Sequence, residues 1–451
     1  MSQKRAPFAK ASGAGALLRI LGVSFGLAVI VGSTIGVGIL RTPGTVASQL
    51  GSPKLFLAVW VLGGLYTLVG AVCMTELGTA LPQVGGYYVY ARRAFGERVG
   101  FATGWTDWLT YCSILGYVSI AIGEFSVQLV PSLVRIGGGV APVAVAALVF
   151  FAALQWAGLR VSSRAQEVTT LVKFLAFLAL VVACFSYSSP VASGAIPSPA
   201  PGLATFIAVA LALQSVVVTY GGWQSALYFS EENRDPARNL PRAMIGSVLL
   251  VLVVYLLVNL ALLRVLPLSV LAASKLPAAD AATSVFGAGG GRLITLLSLV
   301  SLLPLINAIL MIGTRILYAM SRDHTRWTAA AGVTPRGTPL LAMLVTAGGG
   351  IVLAASGTFE KLVALAAFFL AANYLVSCLA LVALRRREPS LERPFRAWGY
   401  PWSAALVVLG ALLFLGGVVV GDTRNSLYAL GLVAASFPLR YWASSGGSGG
   451  T

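Results

Sequence analysis

Long apolar runs separated by short polar stretches divide the chain from end to end. A helix crosses the hydrocarbon layer in about 20 mostly apolar residues. Twelve such runs can be marked, at 20–48, 55–80, 99–130, 140–159, 166–187, 201–230, 243–264, 292–320, 338–356, 360–384, 401–421 and 425–442. The ten-residue alternating segments of a membrane β-barrel are absent. The pattern therefore predicts an all-α polytopic membrane protein with 12 transmembrane helices. The first run is too long for the apolar region of a cleaved signal, and no small-residue cleavage site stands out.

Composition agrees. Of 451 residues, 58% are hydrophobic and 10% charged, with mean hydropathy +0.87. Soluble domains carry roughly 25% charged residues, and disorder needs low hydrophobicity. The balance of 31 basic against 14 acidic residues, net +17, would suggest nucleic acid on a soluble protein. Here orientation explains it. With the N-terminus in the cytoplasm and the spans alternating, 23 basic residues fall inside and 8 outside. That asymmetry places both termini in the cytoplasm. Cys73, Cys112, Cys184 and Cys378 lie inside apolar runs and read as small hydrophobes, and His324 is the only histidine. No metal, cofactor, nucleic acid or obligatory protein partner is expected.

Two runs look interrupted. Gly32, Ser33, Thr34, Ile35, Gly36, Val37, Gly38 and Ile39 place three glycines in the middle of span one. Thr219, Tyr220, Gly221, Gly222 and Trp223 place two more late in span six, after Val218. Glycines in membrane helices also serve close helix packing, and Gly32 and Gly36 have the four-residue spacing for it. The pair carries more than either alone. Unwound backbone survives at membrane depth only around a cavity or substrate. Spans one and six cross in opposite directions, and matched broken helices in two inverted halves point to a transporter's midplane site. The outer half of span one, starting near Gly38, would offer free N–H groups to a carboxylate. The ends of the preceding half-helices would offer carbonyls to an ammonium. Such a site suits a zwitterion such as an α-amino acid.

Ionisable groups within the spans are costly and are functional candidates. Lys173, a third of the way along span five, either snorkels to the interface, acts as a fixed cation or carries a proton. Asp107, early in span three, is open to a basic partner or to a role as proton site. Glu76 and Glu124 read as helix-end anchors, and Arg41 as an anchor of the outer half-helix. Glu231, Glu232 and Asp235, among Arg234, Arg238 and Arg242, read as a solvated mixed-charge loop. The runs Arg385–Arg387 and Arg393–Arg396 read as positive-inside anchors near anionic lipid.

Several stretches in order resemble the amino acid–polyamine–organocation (APC) superfamily, nearest its bacterial permeases and the LAT-like branch. They are Gly32–Leu40 with Arg41-Thr42-Pro43-Gly44; Glu76-Leu77 through Pro82, Gly85-Gly86-Tyr87 and Tyr90; Trp223–Pro241; Arg315–Asp323; and Leu384–Pro401. The resemblance covers nearly the whole chain. It implies a five-plus-five inverted repeat of LeuT-like type with helices 1 and 6 broken. The segments would be a cytoplasmic stretch 1–19, a first repeat 20–187, a second repeat 201–384, peripheral helices 401–442 and a flexible Gly/Ser tail 443–451. It further implies that Lys173 stands in for a sodium ion between helices one and eight, and that the loop from Arg264 to Arg292 is an outer lid. Two positions depart from the pattern. Val37 stands where relatives often have Ser, removing a hydroxyl from the carboxylate site. Val218 stands at the aromatic gate position, leaving Tyr220 or Trp223 to close the site.

The function expected is alternating-access amino acid transport across a bacterial inner membrane, sodium-independent, by proton symport or amino acid exchange. Substrate, protons and membrane lipids are the partners. The alternatives are an organocation transporter of the same fold or a non-transporting sensor. An enzyme is disfavoured because the carboxylates are scattered and His324 has no cluster. A channel would want a repeated pore-lining filter.

Overall fold

The computed structural model describes residues 16–135, 139–187, 203–356 and 359–444. Most of the expected N-terminal stretch, the segment joining the two expected repeats and most of the tail lie outside those residues. Every expected span coincides with helix. Span one is α1 (Val23–Thr34) and α2 (Val37–Leu50), bent by 47° at their junction. Then come α3 (Pro53–Ala80), α4 (Tyr87–Phe95), α5 (Glu97–Leu129), the short α6 (Ser132–Arg135), α7 (Val140–Trp156) and α8 (Leu159–Ser186). Span six is α9 (Leu203–Thr219) followed, after a turn, by a 3-10 segment (Trp223–Glu232). α10 (Pro236–Val265), α11 (Leu268–Ala273), α12 (Pro277–Phe286), α13 (Gly290–Asp323), α14 (Leu340–Ser356), α15 (Phe359–Arg387), α16 (Trp402–Gly421) and α17 (Thr423–Ser444) complete the chain. Among the described residues, eight helices are long and apolar enough to cross a membrane, nine with the bent pair as one span. Val140–Trp156 and Leu340–Ala355 are shorter apolar helices.

Local chemistry sets several of these ends. Pro53 and Pro236 open α3 and α10 at the position where a missing N–H is harmless. Asp235 caps α10 by accepting from the Arg238 N–H at 3.3 Å. Gly51 closes α2 in the left-handed region, φ 62°. α5 is the hub, packed against α4, α7, α13, α14 and α15. Large apolar side chains remain uncovered on α16, with Leu413 69% and Val420 83% exposed. Hydrocarbon, not water, is the solvent that suits such a face.

Two apolar clusters fill the interior. One gathers Phe25, Val29, Tyr87, Tyr111, Trp223 and Tyr228, the other Ile35, Ile39, Trp60, Tyr220, Tyr255 and Leu271. Each interrupted span changes cluster near its break: Val29 and Ile30 belong to one and Val31, Ile35 and Ile39 to the other, and Trp223 and Tyr220 divide likewise. The breaks therefore lie on the seam between the clusters. α11 and α12, from the stretch expected as a lid, pack against α2.

Candidate functional site

At the first break, the Ile35 N–H donates to Val31 O at 3.0 Å and the chain then extends through Gly36, φ −145°. α2 restarts at Val37. The first N–H groups of a helix have no partner inside it, so those of Val37 and Gly38 find no acceptor within α2. The three glycines have different roles. A methyl group on Gly32 would strike the Gln166 and Thr170 side chains, and one on Gly38 would lie 3.3 Å from Thr219. A methyl on Gly36 would meet nothing within 4 Å. Gly32 is a packing glycine, Gly38 is exposed with Thr219 alongside, and Gly36, though buried, has room beside it for a side chain.

At the second break, Tyr220 N donates to Val216 O and Gly221 N to Val218 O. Gly222 then takes φ +114°, in the region that favours glycine. Its missing side chain matters twice, because a Cβ there would lie 2.7 and 2.8 Å from the Ser33 carbonyl group and 2.9 Å from Thr34 N. The two breaks thus touch, backbone against backbone. Tyr255 of α10 joins them as well, its hydroxyl 2.8 Å from Thr34 O and 2.9 Å from Thr219 O. A phenol has one proton, so at any instant one of these carbonyls lacks it. Thr219 is bonded to Thr42 of α2 at 2.8 Å.

Lys173 is fully buried, and its ammonium does not snorkel. Nζ donates to Gly32 O at 2.7 Å and to Ile35 O, at the frayed end of α1. Beside it, Thr170 Oγ1 donates to Ala28 O at 3.0 Å. Asn307 of α13 donates to Gln166 Oε1 at 2.9 Å, linking α8 to α13. The free carbonyls expected for an ammonium are therefore largely engaged: Gly32 and Ile35 by Lys173, Thr34 and Thr219 by Tyr255.

Several other expectations change. Asp107 has no basic partner among the described residues; its Oδ2 accepts from the Tyr228 hydroxyl at 2.9 Å. Tyr228 belongs to the 3-10 segment, and its ring lies between those of Tyr87 and Tyr111. The expected solvated loop is a clasp. Glu232 is fully buried and forms a two-pronged ion pair with Arg315 of α13, at 3.0 and 3.1 Å. Glu231 binds Arg322 at 2.8 and 3.0 Å and the Val84 N–H at 3.1 Å. Leu21 pairs alongside Asn233, with Leu21 N donating to Glu232 O and Arg234 N to Leu21 O. Glu76, expected at the surface, is buried and holds Arg385, Arg393 and the Ala397 N–H. Tyr220 is committed to the core, donating to Trp60 O at 3.1 Å. Trp223 instead lies edge-on to Tyr374 of α15, centroids 5.6 Å apart. Val218 is 53% exposed, Arg41 and Glu124 are exposed, and His324 is buried between Phe101 and Trp327.

Tyr255, Gln166, Thr170 and Asn307 were missed from the sequence because they are neutral. A polar residue such as Tyr255 inside the apolar run of α10 was the available signal.

A family model described as amino acid permease matches residues 21–437. The chain is similar to the serine/threonine exchanger SteT of Bacillus subtilis, 27% identical over 94% of this chain and 97% of that one. It is also similar to the mouse large neutral amino acids transporter small subunit 2, at 29% identity over 86% of this chain and 75% of that one. The mouse Asc-type amino acid transporter 1 is 30% identical over 84% of this chain and 73% of its own.

Proposed function

We propose a function from one premise: this chain belongs to the amino acid permease family, whose members are transporters rather than enzymes. It is a multi-pass membrane protein that carries amino acids. In our reading it is a sodium-independent secondary transporter of neutral amino acids in a bacterial inner membrane, with both termini cytoplasmic. The two halves, 20–187 and 201–384, form an inverted pair with 401–442 peripheral.

The observation that carries this reading is the contact of the two breaks, Gly222 against the Ser33–Thr34 peptide, beside the open space at Gly36. The substrate lies along Ser33–Ile39 and Val218–Trp223. Its carboxylate takes the Val37 and Gly38 N–H groups, where a helix N-terminus stabilises negative charge. Its ammonium takes whichever carbonyl Tyr255 leaves free. Trp223, not Tyr220, closes over it. No hydroxyl at Val37 assists, so the carboxylate is held by backbone alone.

Lys173 serves as the fixed cation of α1. It fills the Gly32 and Ile35 carbonyls that a metal ion would otherwise need. With no carboxylate partner to which it passes a proton among the described residues, exchange of one amino acid for another is the favoured mode. Asp107 then steadies the 3-10 segment through Tyr228 instead of carrying a proton. The clasp of Glu231, Glu232 and Arg315 holds the cytoplasmic side shut, and substrate release requires it to part.

The test is uptake of labelled serine, threonine, alanine and leucine into proteoliposomes. Vesicles loaded with unlabelled amino acid should take up label many times faster than empty ones, with sodium replaced by choline. Uptake that needs a pH gradient and ignores internal amino acid would replace exchange with proton symport. Absence of uptake alongside tight binding would make the chain a sensor.

A further inference from the structure

A groove of about 490 Å3 runs between α15 and α17, at the end of α15 remote from Arg385–Arg387. Its chemistry changes with depth. Lys361 sits in the first turn of α15, and Arg424 and Asn425 in the first turn of α17. Leu365 follows one turn on, and Gly431 and Leu432 two turns on, roughly 10 Å deeper at 1.5 Å per residue. A methyl built on Gly431 would meet nothing within 4 Å, so this glycine keeps the deep end open. Leu365 and Leu432 line it and pack against a small apolar cluster of Phe368, Phe369 and Ala429.

Two cations, Lys361 and Arg424, line the rim. Among the described residues, neither Lys361 nor Arg424 forms a salt bridge. A carboxylate next to Arg424, Asp422, is engaged by the Asn425 N–H at 3.1 Å and the Asn425 side-chain amide at 2.7 Å. Those bonds, with the Arg424 charge, hold it below the usual carboxylate range. The Arg424 guanidinium lies 6.0 Å from the ring centre of Tyr428, which is 56% exposed, as suits an aromatic at the bilayer interface.

We propose that this groove binds one anionic phospholipid, its phosphate between Lys361 and Arg424 and an acyl chain over Gly431. Two cations at headgroup level above an apolar trough match that ligand and no soluble one. A soluble anion would leave the deep half empty, and a zwitterionic lipid would bring its ammonium to a rim that already holds two cations.

Native mass spectrometry of the whole chain, released from nanodiscs of equal phosphatidylglycerol and phosphatidylcholine, tests this. The unaltered protein should retain phosphatidylglycerol in preference, by about fivefold per basic residue. Lys361→Gln with Arg424→Gln should bring the two lipids to parity, while Gly431→Leu should lose the retained lipid with the rim intact. Should the double variant fail to fold, Arg424→Gln alone should lower the preference about fivefold. Parity in the unaltered protein, or undiminished preference in the charge variants, would overturn the proposal. So would high-yield disulfide dimers of Gly431→Cys in the nanodisc, because a second copy would then fill the groove.

Discussion

Two glycines a few residues from one another in space separate a structural role from a binding role. Gly222→Ala places a Cβ under 3 Å from the Ser33 carbonyl group and Thr34 N, all of them backbone atoms. It also demands φ +114° from a residue with a side chain. The conformational strain is about 1–3 kcal/mol, and the overpacking about another 1–3 kcal/mol. Some 2–6 kcal/mol of destabilisation is expected, falling on the joint between the breaks. Gly36→Ala differs on both counts, with an extended backbone and no atom within 4 Å of the new methyl. Its stability should be unchanged or higher by about 0.4–1 kcal/mol, through the unfolded chain. Yet the methyl stands in the space assigned to the substrate carboxylate. Loss of roughly tenfold in affinity, about 1.4 kcal/mol, is expected. Thermal unfolding in detergent and the saturation curve of proteoliposome uptake measure the two effects. If Gly36→Ala transports every amino acid as the unaltered protein does, the carboxylate is not held there. If Gly222→Ala is as stable as the parent, the contact between breaks does not bear weight.

Three further substitutions probe the surroundings. Tyr255→Phe removes one hydroxyl shared by two carbonyls, and should cost about 1 kcal/mol, near fivefold, in stability of the joined breaks. The variant should stay folded and lose uptake; native uptake would exclude Tyr255 from the site. Lys173→Ala strips the donor from Gly32 O and Ile35 O, at about 1–3 kcal/mol for each stranded carbonyl. Exchange should be abolished, with Lys173→Arg restoring little because the planar guanidinium fits neither carbonyl well. Arg315→Ala leaves Glu232 buried without its cation and should destabilise by about 3–5 kcal/mol. Labelling of Phe25→Cys by a membrane-impermeant thiol reagent from the cytoplasmic side should rise with it, and unchanged labelling would refute the clasp.

The spans and both breaks were legible because their signals are local. Runs of apolar residues mark α3 or α10, and clustered glycines mark the Gly36 and Gly222 turns. Lys173 was legible because a charge in an apolar run is conspicuous. What escaped depends on partners far along the chain. Glu232 meets Arg315 83 positions away, and Glu76 meets Arg385 309 positions away. In sequence, Glu232 stands among arginines and an Asp-Pro pair, the composition of an exposed turn. Its burial comes from how α13 passes over the 3-10 segment, which no window of sequence contains. Gly32 and Gly36, a pair by spacing, part company for the same reason. Only the packed neighbours reveal that Gly32 makes room for Gln166 and Thr170 while a methyl on Gly36 would meet nothing within 4 Å.

The clasp also bears on how the protein behaves in an energised membrane. Glu232 and Arg315 lie side by side with opposite charges, so the closed pair presents a dipole rather than a net charge to the electric field. A lone buried carboxylate in that place would couple every opening to the transmembrane voltage. With its counter-charge beside it, the pair would feel voltage only as far as its two ends part along the field, where their opposite displacements add; parting in the membrane plane would leave it untouched.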